Sequence, residues 1–220
     1  MNERTYIIDK RFMTEAERTD RVLEIAEAFG LGLDNKEFVV FDKQKISIQD
    51  GDVVYITGQS GSGKSVVLRE LSLLMANDGL KVADIDKVEL LDKPLIDQIG
   101  KSTQEALGYL SIAGLNDAHL FIRKPKELSD GQRYRFRLAK IVESKANVWV
   151  ADEFLAVLDR VTAKVIAFNL QKTARKMGAT LMVATTHSDM VEDLAPNLII
   201  RKQYREKIEI VKTESERDDV

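Results

Sequence analysis

The sequence predicts an α/β fold with a parallel core sheet. From residue 64 onward, apolar segments with helical spacing alternate with short apolar segments typical of buried strands, and such alternation indicates a parallel sheet covered by helices. Upstream, the strand pattern 53–57 leads directly into a glycine-rich turn and then into an apolar helix. At about 150 residues per domain, the 220 residues predict a single domain over 1–220 that contains a smaller subdomain.

The N-terminal part predicts one helix and an antiparallel β portion. Thr14 and Glu17 form a capping box, and apolar side chains keep helical spacing as far as Gly30, so we expect a helix over 14–29. Short strand patterns separated by Asp and Gly turn signals then follow at 38–41, 46–48 and 53–57. These segments predict antiparallel strands that lead into a buried strand.

The alternating segments after residue 64 define the remaining elements. We expect helices at 64–76, 129–145, 160–177 and 188–194, a mixed helical stretch at 95–113, and strands at 81–85, 148–151 and 180–185. Residues 198–211 predict two short strands around a charged turn. The region at about 92–145 predicts a short helical subdomain. The polar, mostly acidic residues 213–220 are expected to fray.

Composition excludes several classes of protein. A content of 44% hydrophobic and 31% charged residues is typical of a soluble globular chain rather than a membrane-embedded or a disordered one. The lack of cysteine excludes disulfide frameworks, cysteine-ligated zinc and thiol nucleophiles. No apolar run approaches the ~18 residues of a membrane-spanning helix, and no leader-like segment is seen, so we expect a cytoplasmic protein. The net charge of −3 argues against a basic footprint over the whole surface.

A glycine-rich motif follows the strand pattern 53–57 and opens the next helix. It runs Gly58, Gln59, Ser60, Gly61, Ser62, Gly63, Lys64, Ser65, and Val66 extends it as the next predicted nucleotide contact. Its spacing matches G-x-x-x-x-G-K-[ST], in which backbone N–H groups and a helix N-terminus bind phosphates. We expect Lys64 to reach the β- and γ-phosphates of ATP and Ser65 to ligate Mg²⁺. The alternative is a Gly/Ser-rich turn with a coincidental lysine.

Two adjacent carboxylates end the apolar strand pattern 148–151. Because successive strand residues point to opposite sides, Asp152 and Glu153 can have different roles. Asp152 would hold Mg²⁺, and Glu153 would face the γ-phosphate and polarise the attacking water. The alternative is that the pair only caps a helix.

Four residues at the start of the helix pattern 129–145 form a second candidate phosphate-binding edge. They are Ser129, Asp130, Gly131 and Gln132, called the 129–132 segment below. A hydroxyl, a glycine that permits close approach and a helix N-terminus suit a phosphate, whereas the alternative is merely a well-capped helix. Because one chain cannot readily use two such edges on one phosphate, we expect two protomers that each bind the other's nucleotide.

His187 follows the strand pattern 180–185 and is one of two histidines. From that position its ring could hydrogen-bond a γ-phosphate oxygen. The alternative is a structural role, which is also what we expect of His119.

In this order the motifs resemble the ATPase domain of the ATP-binding cassette (ABC) family, over residues 38–200. The resemblance implies the fold of a P-loop NTPase of the ABC type, with the 129–132 segment as its signature loop. Asp130 stands where many members have glycine. The resemblance also implies that Glu153 is the catalytic carboxylate, that Asp159 lies in the D-loop and that His187 is the switch histidine.

Two further roles follow from the resemblance. Gln98 is similar to the Q-loop glutamine that joins the metal shell, with Gln104 as its rival. The aromatic residue that stacks on adenine should lie upstream of the P-loop. Phe38 is assigned to the nucleotide-binding set and Phe41 is the rival, unless both fill the core.

The leading functional expectation is a soluble, Mg²⁺-dependent ATPase that forms a homodimer on ATP binding and acts on a protein or nucleic-acid partner. Only 65 positions separate Lys64 from Ser129, fewer than we expect of transporter ATPases, so a membrane partner is less expected. The segments 127–140, 151–154 and 184–187 resemble, more narrowly, ABC-type ATPases often fused to a GNAT-like acetyltransferase domain. The alternatives are the ATP-binding subunit of a membrane transporter and, last, a P-loop small-molecule kinase.

The segment 123–145 is rich in basic residues and could bind a nucleic-acid backbone. These residues are Arg123, Lys124, Lys126, Arg133, Arg135, Arg137, Lys140 and Lys145. The alternative, which we favour, is a solvated helix face with salt bridges.

Overall fold

A computed structural model of the protein describes residues 2–34, 36–187, 189–203 and 208–213. The chain divides into two compact units, one of residues 7–46 and one formed by the residues before and after this stretch. The strands are β1 (Glu3–Thr14), β2 (Lys36–Gln49), β3 (Val53–Thr57), β4 (Val82–Asp84), β5 (Val148–Ala151), β6 (Thr180–Thr185), β7 (Leu198–Lys202) and β8 (Ile208–Lys212). The α-helices are α1 (Asp20–Phe29), α2 (Lys64–Asn77), α3 (Thr103–Ile112), α4 (Ala118–Phe121), α5 (Asp130–Glu143), α6 (Arg160–Met177) and α7 (Val191–Leu194).

The larger unit contains a six-stranded sheet with the strand order β4-β5-β6-β3-β7-β8. Neighbouring strands are parallel except β7 and β8, which are antiparallel. Thr57 of β3 pairs with Thr185 of β6, and Ala151 of β5 pairs with Val183 of β6. The carboxyl ends of β3, β5 and β6 therefore lie at one edge of the sheet, and the loops that follow these strands are neighbours.

The core lies between the sheet and its covering helices. The first four residues of β3 are fully buried, as expected of a parallel strand covered on both faces. Helix α2 packs against β3, β5 and β6, and α6 packs against β6. The buried apolar side chains of α6 recur at helical spacing, at Ala163, Ile166, Ala167, Leu170 and Ala174. This burial fixes the helices on the sheet and leaves its carboxyl edge to the loops.

The N-terminal part corrects one predicted boundary. The helix expected at 14–29 begins at Asp20, with Thr19 as its N-cap, because the chain up to Thr14 belongs to β1. Buried Tyr6 and Ile8 alternate with exposed neighbours, which is the period of a strand. The predicted strands 38–41 and 46–48 are parts of one strand, β2, which pairs with β1 in an antiparallel two-stranded sheet.

The other elements follow the sequence expectations closely. The helix predicted at 160–177 is α6, and the mixed stretch 95–113 contains α3. Of the described residues 189–194 of the expected helix 188–194, those at 191–194 are helical. No helix in the described part of the chain is both long and apolar enough to span a membrane. Residues 214–220 of the predicted tail lie outside the described residues, and the single domain with a helical subdomain at 92–145 stays a prediction.

Candidate nucleotide-binding site

The glycine-rich loop connects β3 to α2 in a conformation that depends on glycine. Gly58 has a φ of 148°, and a Cβ added there would lie 1.9 Å from the carbonyl oxygen of Lys202 in β7. Gly63 has a φ of 101° and precedes the first residue of α2. Within the loop, the Ser62 hydroxyl is buried and has no hydrogen-bond partner among the described residues. The loop therefore has the backbone form and the free donor that a phosphate site requires.

Lys64 is the first residue of α2 and is only 8% exposed. Its ammonium donates a hydrogen bond to the carbonyl oxygen of Gln59, with 2.8 Å between nitrogen and oxygen. Burial lowers the pKa of Lys64, while the carboxylates of Asp152 and Glu153 oppose that shift. Lys64 thus contacts the glycine-rich loop and is close enough to the acidic pair for its charges to act on the lysine, as the sequence predicts.

Asp152 and Glu153 follow β5 at the same edge. Asp152 lines a small cavity of about 60 Å³ together with Leu68, Arg69 and Ser72 of α2, so its side chain faces the helix that begins at Lys64. Its Oδ1 accepts a hydrogen bond from the backbone N–H of Glu153 (3.0 Å). No α-helix begins at this pair, so the alternative interpretation as a helix cap does not hold.

The loop that carries Glu153 adopts a rare backbone conformation. Glu153 and Leu155 have φ values of 45° and 58°, in a region that costs a non-glycine residue about 1–2 kcal/mol. The N–H of Phe154 donates to the carbonyl oxygen of Ala184 in β6 (2.9 Å), and the N–H of Leu155 donates to the hydroxyl oxygen of Tyr134 in α5 (3.0 Å). These contacts hold Glu153 in its loop.

His187 is anchored through its backbone beside the glycine-rich loop. Its N–H donates to Oγ1 of Thr185 (3.2 Å), and its carbonyl oxygen accepts a hydrogen bond from the Tyr55 hydroxyl of β3. The histidine therefore lies at the edge that carries the P-loop and the acidic pair, while the next residue, Ser188, lies outside the described residues. Its contact with a phosphate stays a prediction.

The 129–132 segment forms a reciprocal helix cap. Oγ of Ser129 accepts from the N–H of Gln132 (3.3 Å), and Oε1 of Gln132 accepts from the N–H of Ser129 (2.9 Å). Asp130 pairs with Arg133, and a Cβ added to Gly131 would lie 3.0 Å from Cδ2 of Leu158. The segment is thus a well-capped helix start, and its glycine permits close packing on the loop before α6. Phosphate binding by this segment stays a prediction.

Asp159 caps the N-terminus of α6. Its Oδ1 accepts a hydrogen bond from the N–H of Thr162 (3.0 Å), and hydrogen bonds from Thr162 lower the pKa of Asp159. The carboxylate thus stabilises the start of the helix that follows the predicted D-loop.

Gln98 is bonded within its own loop. Its Oε1 accepts from the N–H of Leu91 (2.8 Å), and its Nε2 donates to the carbonyl oxygen of Lys93. Gln104 is exposed at the start of α3. The structure therefore commits the Gln98 amide to residues 91–98, and the assignment of either glutamine to a metal shell stays a prediction.

Asp86 joins the acidic pair, and sequence analysis missed it. It lies in a 3₁₀ turn, Ile85–Lys87, directly after β4, and it lines the same cavity as Asp152. Burial raises the pKa of Asp86, the carboxylates of Asp84, Asp152 and Glu153 raise it further, and Arg137 opposes the rise. The signal available in the sequence was an acid directly after the predicted strand 81–85.

The two aromatic candidates belong to the unit 7–46. Phe41 is 3% exposed, as in the alternative in which it fills the core. The side chain of Phe38 lies outside the described residues, so its assignment to adenine stays a prediction.

Most basic side chains of segment 123–145 are engaged within the protein. Lys124 and Lys126 both pair with Asp92, each at 3.3 Å. Lys140 pairs with Glu143 at 2.5 Å. Further partners are Glu127 for Arg123, Asp130 for Arg133 and the carbonyl oxygen of Gly114 for Arg135. These contacts favour a structural helix face over a phosphate-backbone site.

Comparison with curated proteins gives weakly similar relatives, and no protein-family profile matches the chain. The chain is similar to the methionine import ATP-binding protein MetN 1 of Oenococcus oeni, with 23% identity over 235 residues that cover 91% of this chain and 63% of that protein. It is also similar to MetN of Streptococcus pyogenes, with 28% identity over 193 residues that cover 70% of this chain and 54% of that protein. The chain thus spans less than two thirds of the length of these relatives.

Comparison with solved structures identifies the fold. The chain is similar to a dimeric post-hydrolysis state of the ATP-binding cassette MJ0796 bound to ADP and Pi, with a TM-score of 0.68 and 17% identity over 96% of this chain and 100% of that one. A dimeric structure of MJ0796, a bacterial ABC transporter cassette, gives a TM-score of 0.63 and 21% identity over 81% and 93%. The predicted fold class is confirmed as a P-loop ABC ATPase fold with an antiparallel N-terminal β pair and a mainly parallel core sheet.

Proposed function

We propose that this chain is an ABC-type ATPase that binds and hydrolyses ATP. The observation that carries the proposal is the sheet edge at which β3, β5 and β6 end, where the P-loop, the acidic pair and His187 lie together. The charges there, with buried Lys64 beside partly buried Asp152 and exposed Glu153, suit phosphoryl transfer, which depends on positioning and charge stabilisation. The similarity to ATP-binding proteins and to a cassette bound to ADP and Pi supports it.

Each residue of the edge has a role in this proposal. The N–H groups of the loop 58–65 bind the phosphates, and Lys64 exchanges its bond to Gln59 for the β- and γ-phosphates. Glu153 accepts a proton from the attacking water. His187 donates a hydrogen bond to the γ-phosphate, where charge develops in the transition state.

Mg²⁺ fits the residues present. It is normally bound by one or two protein oxygens together with substrate phosphates and water, and the part of the chain described here contains no larger cluster of acidic or histidine ligands. Ser65 at the start of α2 and Asp152, whose side chain faces α2, would hold the ion. When bound, it neutralises charge on the β- and γ-phosphates.

We further propose a homodimer in which ATP joins the P-loop of one protomer to the 129–132 segment of the other. In support, the two phosphate-binding edges of one chain cannot readily serve the same phosphate, and the similar cassette structures are dimers. Dimerisation around ATP couples hydrolysis to a conformational cycle.

Two kinds of ATPase would couple this conformational cycle to different partners. The relatives named as methionine import ATP-binding proteins favour the ATP-binding subunit of a membrane transporter. The short spacing of 65 positions from Lys64 to Ser129 favours a soluble, cytoplasmic ATPase like those often fused to a GNAT-like domain. The comparisons give more support to the transporter subunit, and the internal pairing of segment 123–145 gives none to a nucleic-acid partner. A small-molecule kinase has no use for the 129–132 segment.

The test of the proposed function is ATP-dependent dimerisation of Glu153→Gln. Glutamine retains the size of the side chain but cannot accept the proton from water, so ATP persists and stabilises the closed dimer by mass action. Size-exclusion chromatography with light scattering, with and without Mg-ATP, is expected to give a dimer only with ATP. Adding Ser129→Arg should abolish the dimer, whereas adding Ser111→Arg, at an exposed serine of α3, should not.

The contradicting outcomes are distinct. A Glu153→Gln protein that binds ATP but stays monomeric would remove the dimer from the proposal. Wild-type protein that releases no phosphate from Mg-ATP would refute the ATPase function itself. To separate the partners, Glu153→Gln is bound to resin and offered detergent-solubilised membranes and membrane-free extract in parallel; ATP-dependent retention of an integral membrane protein supports the transporter subunit.

A further inference from the structure

Tyr134 connects the helix of the 129–132 segment to the loop that carries Glu153. It lies one turn into α5, and its hydroxyl oxygen accepts the N–H of Leu155 at 3.0 Å. Burial raises the pKa of the Tyr134 phenol, so the hydroxyl is neutral throughout the pH range of an enzyme assay. The contact is therefore a neutral hydrogen bond from a loop backbone to a partly buried side chain that packs against the core.

The loop needs such a contact because of its backbone. Glu153 and Leu155 both have positive φ, and conformations of this kind persist only where the surrounding structure holds them. The N–H groups of three successive residues in this loop donate hydrogen bonds to three different partners. That of Glu153 bonds to the neighbouring Asp152 side chain, that of Phe154 to β6, and that of Leu155 to Tyr134. Of these three contacts, the last one extends to α5.

We propose that Tyr134 is a positioning residue for Glu153 in ATP hydrolysis. The inference rests on the proposed function, because it assigns Tyr134 a part in the same site. By fixing the N–H of Leu155, the hydroxyl fixes the turn that directs the Glu153 carboxylate. Tyr134 acts through the loop backbone at Leu155, so it sets the geometry of the general base and leaves the phosphate-binding loop unchanged.

The experiment compares Tyr134→Phe with wild type in steady-state phosphate release and in titration with fluorescent ATP. The substitution removes one oxygen and keeps the ring, so the protein folds. We expect kcat to fall about tenfold, which corresponds to about 1.4 kcal/mol in activation free energy, with KM and ATP-binding stoichiometry unchanged. The matched control is Tyr109→Phe, which removes a hydroxyl bonded to Glu105 within α3 and is expected to leave kcat unchanged.

Hydrogen exchange tests the contact independently of catalysis. The amide of Leu155 should exchange faster in Tyr134→Phe than in wild type or Tyr109→Phe. Wild-type protein without ATPase activity would refute the proposed function and the role of Tyr134 with it. Active wild type with unchanged kcat in Tyr134→Phe would overturn the role of Tyr134 alone. A variant with reduced ATP-binding stoichiometry and an unchanged rate per bound nucleotide would likewise overturn it, because the loss would then be structural.

Discussion

Gly58→Ala tests the packing that gives the P-loop its form. A Cβ at Gly58 would lie 1.9 Å from the carbonyl oxygen of Lys202 and 2.9 Å from its carbonyl carbon. The backbones at Gly58 and Lys202 are not free to move apart, because the residues before them, Thr57 and Arg201, are paired between β3 and β7. The substitution must therefore separate two central strands or displace the loop. Either change destabilises the protein and weakens the phosphate site.

The magnitude follows from comparing Gly58 with Gly61 in the same loop. Overpacking a filled interior costs about 1–3 kcal/mol, and the φ of 148° at Gly58 adds a backbone cost of about 1–3 kcal/mol. We therefore expect Gly58→Ala to lower the free energy of unfolding by about 2–6 kcal/mol, with about 3 kcal/mol as the working value. At Gly61, φ is 73° and nothing lies within 4 Å of an added Cβ. Gly61→Ala should cost only the backbone term, about 1–2 kcal/mol.

The assay is urea unfolding followed by the fluorescence of Trp149, the single tryptophan. Its side chain is 1% exposed, and its indole N–H donates to the carbonyl oxygen of Ala146 (3.1 Å), so unfolding changes its surroundings completely. A loss of about 3 kcal/mol should also lower the melting temperature by about 6–12 °C in a chain of this length. Equal urea midpoints for Gly58→Ala and Gly61→Ala would refute the packing argument.

The remaining predictions concern three side chains of the site. Lys64→Ala should abolish ATP binding in a fluorescent-ATP titration, because it removes the cation at the phosphates; undiminished affinity in a folded variant would contradict the P-loop assignment. His187→Ala should slow phosphate release about 100-fold and leave ATP binding nearly unchanged, whereas wild-type turnover would favour its structural interpretation. Asp159→Ala should lower the urea midpoint by removing the cap of α6. Hydrogen bonds from Thr162 lower the pKa of Asp159. Wild type should therefore be more stable to urea than Asp159→Ala above about pH 4, and this difference in stability should disappear as the pH falls through the lowered pKa. A difference that is constant with pH would contradict this.

The main parts of the candidate site could be predicted because each follows a strand pattern. In a parallel sheet the carboxyl ends share an edge, so the order of strand and motif was enough to group Lys64, Glu153 and His187. The boundary of α1 was wrong because Thr14 suits both a helix cap and the end of a strand. Asp86 was missed although a strand was expected at 81–85, because Asp84 and Asp86 flank an apolar residue at the end of that strand and do not form an adjacent pair like Asp152 and Glu153.

The contacts of Tyr134 were hidden for a different reason. Its partner is a backbone N–H 21 positions away, and no sequence pattern reports the hydrogen bonds of a loop backbone. Gln98 illustrates the converse. A glutamine at this position in the sequence fits a metal ligand. Its side-chain amide is nevertheless hydrogen-bonded to the backbone of residues 91 and 93, which only the three-dimensional structure reveals.

One face of α5 contacts three elements around the candidate site. Gly131, Tyr134 and Arg137 are spaced three residues apart and therefore lie on one side of the helix. Gly131 lies close to Leu158 in the loop before α6. The Tyr134 hydroxyl accepts a hydrogen bond from the N–H of Leu155, which follows the acidic pair. The charge of Arg137 opposes the rise in the pKa of Asp86, which follows β4. In the proposed ATP-dependent dimer, a displacement of the 129–132 segment would therefore also act, through α5, on the loop that holds Glu153. Dimerisation of Glu153→Gln therefore tests the role of the 129–132 segment, and the hydrolysis rate of Tyr134→Phe tests the contact between α5 and the loop that carries Glu153.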